Sequence, residues 1–144
     1  CSYPDRDHDY ARRRTAGFIR EARRRGRYVS TFRGPPILWG RDQWLGDQHR
    51  AELRRWVASL PTPVGVLAVT DHRGLHLLEA CKSVGRRVPE DVAIVGVDDH
   101  RPWVELLETP LTSIPLDGRA AGLTAARWLE QQVRAADERR CVDG

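Results

Sequence analysis

Two acidic residues stand where apolar runs of the sequence come to an end. Asp71 follows the run VGVLAV after one threonine, and Asp98 follows the run VAIVGV directly. Carboxylates in such places can cap a helix, hold a metal ion, take part in covalent catalysis or accept hydrogen bonds from a bound ligand. The residues around them favour some of these chemistries over others.

The simplest interpretation of the acids is structural. Asp71 stands before a stretch with helical spacing, so its carboxylate can accept unpaired backbone N–H groups of the first turn. Asp99 is expected to be a solvent-facing loop residue. A metal site has less support, because His72 and His76 lack the glutamate of a metalloprotease helix and no cysteine joins them or His100. We therefore expect no metal ion and no cofactor.

Covalent catalysis has weaker support still. A phospho-acceptor at a strand end, as Asp71 would be, needs an acidic pair on an earlier strand and a lysine later in the chain. The single lysine, Lys82, lies instead between the two acid-bearing runs. No serine nucleophile elbow and no Cys–His constellation is present. An enzyme of flavodoxin-like fold is kept as an alternative, and the expectation is that the protein is not an enzyme.

The hypothesis that uses most of these residues is a site for a polyhydroxylated ligand. A carboxylate can accept two hydrogen bonds from neighbouring hydroxyls, and charge-assisted hydrogen bonds are the stronger kind. Asp71 and Asp98 would accept such bonds, and the guanidinium of Arg14 would donate to ring and hydroxyl oxygens. The flat ring of Trp44, or of Trp39 in its place, would cover the apolar face of a sugar.

The hydrophobic pattern predicts the elements that must position these residues. Apolar residues three and four apart predict helices, and short apolar runs predict strands. Helices are predicted at residues 9–25, 44–60, 73–84 and 118–136, and strands at residues 28–32, 64–69, 92–97 and 111–114. Strands that are apolar on both faces and alternate with helices indicate an open parallel sheet. Ligands bind at the carboxyl ends of such strands, where the two aspartates fall.

The composition indicates a globular domain. Of 144 residues, 40% are hydrophobic and 31% are charged, and no apolar run reaches the length of a membrane span. With no signal segment and an odd number of cysteines, this favours the cytoplasm. Cys81 is expected to be a small buried residue, and the many arginines a solvated surface. The sequence starts at Cys1 and contains no methionine, which indicates a fragment.

Four segments stand in a recognisable order: RTAGF, GVLAVTDHRGLHLLEAC, VPEDVAIVGVDD and TPLTSI. Their order and spacing resemble those of the ligand-binding domains of the LacI/GalR family of bacterial transcription regulators. The segment AVTDHRGLHLLEAC, with WVASLPTPVG before it, is similar to the branch of xylose operon regulators, which sense D-xylose. The resemblance implies an α/β fold, namely a parallel-sheet three-layer lobe of a periplasmic-binding-protein-like (type I) clamshell.

The resemblance also implies roles for individual residues. Arg14 would bind the inducer, and Asp98 would contact sugar hydroxyls. Thr70 and Asp71 occupy a polar pair after a strand, where relatives often have asparagine at the first position, so the division of the contact between them is open. Trp44 matches the tryptophan that stacks on the ligand.

The resemblance further implies an organisation in two lobes. Residues 1–116 would form the C-terminal lobe of the sugar-binding domain, and residues 117–144 a crossover and a helix of the absent N-terminal lobe. That helix would pack poorly on the rest of this chain. Binding of a pentose, which the resemblance implies is D-xylose, would close the lobes. Closure would control DNA binding through an AraC-type module outside the chain. The full-length protein would be a homodimer with no membrane contact. A periplasmic or transport sugar-binding protein is the alternative with the same fold.

Overall fold

The computed structural model describes residues 1–2, 9–34, 46–101, 104 and 107–142, with side chains described up to residue 135. The helices in this part of the chain include α1 (Asp9–Arg24), α2 (Asp47–Ser59), α3 (Asp71–Ser83) and α4 (Gly118–Val142). The strands are β1 (Val64–Leu67), β2 (Val92–Asp98) and β3 (Thr112–Pro115). They form one sheet in the order β1-β2-β3.

The sheet is parallel throughout, as the apolar strands predict. Leu67 of β1 pairs with Val95 of β2, and Asp98 of β2 pairs with Pro115 of β3. All three strands therefore end at the same edge of the sheet. The α/β architecture and the parallel sheet predicted from the sequence are confirmed.

The core lies between the sheet and helices α2 and α3. Helix α3 packs on β2 and helix α2 packs on α3, and both contribute apolar side chains to one buried cluster. Burial of each large apolar side chain contributes about 1.5–3 kcal/mol. The buried cluster comprises Leu53, Val57, Leu60, Val66, Ala68, Leu77, Ala80, Cys81, Val92, Ile94 and Leu111. Cys81 is fully buried, so the prediction that it acts as a small core residue is confirmed.

The helix ends follow the predicted punctuation. Gly26 adopts a φ of 67° just beyond α1, a backbone conformation that glycine takes without steric cost. Leu60 is extended after α2, as expected for a residue that precedes proline. The predicted helices at residues 9–25 and 73–84 are confirmed with ends shifted by one or two residues, and the helix predicted at 44–60 is described from residue 47.

The strand predicted at residues 28–32 is wrong. Tyr28 is 94% exposed, and the backbone contact in this region is a parallel bridge between Ser2 and Arg33. A strand needs a partner along several residues to pair its N–H and C=O groups. Ser2 exchanges backbone hydrogen bonds with Phe32 and Gly34, and residues 28–32 do not form a ladder with the described part of the chain.

Helix α4 is packed poorly on the rest of the described chain. All side chains from residue 118 to residue 134 are exposed, and Trp128 keeps 70% of its surface accessible. The prediction that this helix packs poorly on the rest of the chain is confirmed for its described side chains, whereas the assignment of residues 117–144 to a second lobe stays a prediction. Among the described helices, none combines the length and the apolar character needed to cross a membrane.

Candidate ligand-binding site

The candidate site lies at the carboxyl edge of the sheet. Strand β2 ends at Asp98, and the chain leaving β1 passes through Val69 and Thr70 into helix α3. Because β1 and β2 are parallel neighbours, these two exits lie side by side. The sequence predicted this juxtaposition, and the structure brings Arg14 of α1 to it as well.

Arg14 connects the two strand exits. Its Nη2 lies 3.0 Å from Oδ1 of Asp98, and its Nη1 donates to the carbonyl oxygen of Val69 at 2.5 Å. The Arg14 and Asp98 side chains keep 21% and 36% of their surfaces exposed, so the pair is partly open to solvent. Helix α1 is fixed nearby, because Ala11 and Val69 form a small buried cluster of their own. A hydrogen-bond donor, the Arg14 guanidinium, and an acceptor, the Asp98 carboxylate, therefore lie side by side at the solvent-accessible carboxyl edge of the sheet.

The surroundings of Asp98 only partly replace the hydration that its carboxylate loses on burial. Burial raises the pKa of Asp98 above its usual value; the charge and hydrogen bond of Arg14 oppose this shift, and the charge of Asp71 adds to it. A hydrogen-bond donor from a ligand would favour the ionised form, because it replaces part of the hydration that burial removes. This carboxylate is thus suited to accept hydroxyl donors.

Tyr10 is part of the same group, and the sequence analysis missed it. The guanidinium carbon of Arg14 lies 4.9 Å from the centre of the Tyr10 ring, within the range of a cation–π contact. Burial and the nearby charge of Asp98 raise the pKa of the Tyr10 hydroxyl. Four-residue spacing on a helix places two side chains on one face, so the Tyr10–Arg14 pair was available as a signal.

Thr70 forms the N-cap of helix α3. Its hydroxyl oxygen accepts from the backbone N–H of Arg73 at 3.3 Å, and the residue is buried. The capping role that the sequence suggested for Asp71 therefore belongs to Thr70. Asp71 is the first residue within the helix.

Asp71 lies behind the surface of the site. It is 1% exposed, and its two carboxylate oxygens accept from the chain itself: Oδ1 from the Ser113 hydroxyl at 2.5 Å and Oδ2 from the His100 backbone N–H at 2.8 Å. The sequence predicted that both aspartates would accept hydrogen bonds from one ligand, but the structure leaves only Asp98 partly exposed and turns Asp71 inwards. Direct contact of Asp71 with a ligand stays a prediction.

Trp44 and Trp39, the predicted stacking residues, lie outside the described residues. Stacking of either ring on a ligand stays a prediction. No group of three or more His, Cys, Asp or Glu side chains able to hold a metal ion occurs in the described part of the chain.

The two histidines of α3 pack against each other. The rings of His72 and His76 meet edge to face, with centroids 4.5 Å apart. Burial, with the positive charges of neighbouring groups, lowers the pKa of His76 to about 3. His76 is therefore neutral near pH 7, as expected of a histidine packed on α3.

Comparison with known proteins identifies the family. A model of the periplasmic binding protein-like domain matches residues 1–142. The chain belongs to this family. For a periplasmic-binding-protein-like domain, a parallel sheet flanked by helices is the expected architecture, which confirms the fold class predicted from the sequence.

Two solved structures resemble this periplasmic-binding-protein-like domain. The xylose-binding transcription activator xylR matches with a TM-score of 0.69 over 93% of this chain and 34% of the other, at 24% identity, and so supports the fold alone. The complex of the transcriptional regulator CelR with cellobiose matches with a TM-score of 0.67 over 85% of this chain and 36% of the other, at 28% identity.

A curated relative agrees with the motifs. The xylose operon regulatory protein of Haemophilus influenzae is 38% identical over 88 residues, which cover 61% of this chain and 22% of that protein. The domain thus spans about a fifth of that relative's length. These relatives are transcription regulators by name, in agreement with the expectation that the chain is not part of an enzyme.

Proposed function

We propose that this chain is one lobe of the effector-binding domain of a sugar-responsive bacterial transcription regulator. The observation that carries the proposal is the partly exposed Arg14–Asp98 pair at the carboxyl edge of the parallel sheet. Ligands of open α/β sheets bind at this edge. Similarity to a xylose operon regulatory protein and to a regulator in complex with cellobiose supports a sugar as the ligand.

The pair offers the two kinds of group that a sugar needs. Asp98 accepts from one or two hydroxyls, while the guanidinium of Arg14 donates to a ring or hydroxyl oxygen. Each group also holds the other in place, which lowers the cost of ordering on binding. A sugar without the matching hydroxyl would leave both groups without a ligand partner in a partly desolvated place.

The remaining half of the pocket would come from a second lobe outside this chain. The exposed apolar residues of α4, among them Leu123, Trp128 and Val133, would pack in that lobe. A sugar held between two lobes favours the closed state by its contacts with both, and this shift in population would reach a DNA-binding module. Homodimer formation and a cytoplasmic location follow from the same proposal.

The proposed ligand is a pentose, D-xylose. The support is the relative with 38% identity, described as a xylose operon regulatory protein. Cellobiose is the competing ligand, because the CelR complex is also similar in structure.

Isothermal titration of the full-length gene product with D-xylose, D-glucose, lactose and cellobiose tests the proposal. We expect one of these sugars, D-xylose, to bind well above the others, and Asp98→Asn to weaken that binding by about tenfold or more through the loss of a charge-assisted acceptor.

Asp91→Asn is the matched control. Asp91 pairs with Arg87 at 3.1 Å just before β2, at the opposite end of the strand from Asp98. Its replacement should leave sugar affinity unchanged. Equal affinity of wild type and Asp98→Asn for every sugar would refute the assignment of the site.

A further inference from the structure

The chain leaving β2 adopts an unusual backbone just where the ligand-facing carboxylate stands. Asp98 has a φ of 122° and Asp99 a φ of 52°, both in the left-handed range. Residues with a side chain rarely adopt such angles, and two in succession persist only where the surroundings hold them. The direction of the Asp98 side chain depends on this conformation.

Two side chains from other elements hold this segment. The backbone N–H of Asp99 donates to the Ser113 hydroxyl at 3.0 Å, and the backbone N–H of His100 donates to Asp71 at 2.8 Å. The Ser113 hydroxyl in turn donates to the other oxygen of Asp71. Both N–H groups directly after Asp98 are thus bonded to one network that joins the start of α3 to β3.

The hydrogen-bond network lies close to the sheet because Gly96 of β2 has no side chain. Gly96 is the register partner of Ser113 on the neighbouring strand. A Cβ atom on Gly96 would overlap Oδ1 of Asp71. The Asp71 carboxylate therefore lies over the Gly96–Ser113 pair, two residues before Asp98 on the same strand. Its position is set by packing as well as by hydrogen bonds.

We propose that Asp71 and Ser113 are positioning residues for ligand binding: they fix the turn after β2 so that the Asp98 carboxylate faces Arg14. This inference rests on the proposed function, in which Asp98 binds the ligand. Asp71 acts through its two accepted hydrogen bonds, and Ser113 acts by accepting from Asp99 while donating to Asp71. Neither needs to touch the sugar.

The first test measures the turn itself. Hydrogen–deuterium exchange of the full-length protein, read by mass spectrometry on a peptide containing Asp99 and His100, should become about tenfold faster in Ser113→Ala, since one protecting hydrogen bond is lost. Ser113→Thr keeps the hydroxyl and should restore slow exchange. Ser83→Ala is the matched control, because it removes a serine hydroxyl that donates to the Ala80 carbonyl oxygen at 2.8 Å, at the opposite end of α3 from this turn.

The second test measures whether Ser113 acts through Asp98. Ser113→Ala should weaken D-xylose binding by about tenfold in the wild-type background and by less than about twofold in an Asp98→Asn background, as coupling through one contact requires. A loss of the same size in both backgrounds would overturn the proposal.

The third test separates positioning by Asp71 from direct contact. Asparagine at position 71 can still accept from the His100 N–H and donate to Ser113, so Asp71→Asn should weaken binding by less than about threefold. A loss as large as that of Asp98→Asn would make Asp71 a contact residue and contradict the proposal.

These outcomes distinguish this inference from the function on which it rests. Absence of binding of every sugar by the wild-type protein would remove the proposed function, and the exchange experiment alone would then decide whether Asp71 and Ser113 hold the turn. Sugar binding that depends on Asp98 but is unaffected by Ser113→Ala would leave the function standing and overturn the positioning role.

Discussion

The close packing around Gly96 predicts that Gly96→Ala lowers the free energy of unfolding. In Gly96→Ala the new Cβ atom would overlap Oδ1 of Asp71 and lie 3.3 Å from a methyl carbon of Leu111. The strand backbone is held in place, because Gly96 pairs with Ser113 of β3 and the residue before it pairs with Leu67 of β1, in the middle strand of the described sheet. The Asp71 carboxylate must therefore move.

The magnitude follows from what Asp71 would lose. It accepts hydrogen bonds from Ser113 at 2.5 Å and from the His100 N–H at 2.8 Å. Bonds to a charged group contribute about 1.5–3 kcal/mol each, so the upper range of the loss is about 3–6 kcal/mol. Allowing for partial adjustment of the side chain, we expect the free energy of unfolding to fall by about 3 kcal/mol.

Urea unfolding of wild type and variant, followed by circular dichroism, measures this difference. With a slope of about 1–3 kcal/mol per molar urea, the midpoint should fall by about 1 M or more. Gly65→Ala is the matched control: Gly65 is also a strand glycine, and nothing lies within 4 Å of the position that an added Cβ atom would take. That variant should be neutral or stabilised by about 0.5–1 kcal/mol. Equal midpoints for the two variants would refute the packing of Asp71 against β2.

Three further predictions concern other parts of the chain. Arg14→Leu should weaken sugar binding by about tenfold or more in titration calorimetry, because charge-assisted donors are lost; unchanged affinity would exclude Arg14 from the site. The pKa of His76 is about 3 in the folded protein and about 6.5 in the unfolded chain, so between these pH values this histidine is protonated only in the unfolded state. The free energy of unfolding should therefore fall as the pH falls from 6.5 towards 3. Urea midpoints between pH 7 and pH 4 should show this slope, and His76→Gln should flatten it. Trp128→Glu combined with Leu129→Glu should change the stability of the 144-residue chain by less than about 0.5 kcal/mol, because both side chains are exposed, but should lower the thermal midpoint of the full-length protein if α4 packs in a second lobe.

Much of the fold could be predicted from local pattern. The apolar runs before Thr70 and Asp98 became the parallel strands β1 and β2, and Gly26 ended the first helix as expected. Such signals are local, because a strand covered on both faces must be apolar along its length and a left-handed helix end favours glycine. The strand predicted at residues 28–32 did not form, since its existence depends on a partner that residue type cannot specify.

The site could be predicted in part. The closeness of Arg14 and Asp98 followed from the resemblance and from the position of Asp98 at a strand end, and the structure brings the two within 3.0 Å. Tyr10 and Ser113 were missed. Ser113 lies 42 residues from Asp71 in sequence, and no periodic pattern joins residues that meet only across a sheet.

The sequence by itself determined the family, the parallel order of apolar strands and the presence of acids at their ends. Tertiary structure alone decided that the two acids differ: Asp98 stays partly exposed beside Arg14, whereas Asp71 is buried under bonds from Ser113 and His100. The physical reason is that a carboxylate's environment depends on which donors surround it and how much water they exclude. Those donors come from distant elements that meet only when the sheet assembles.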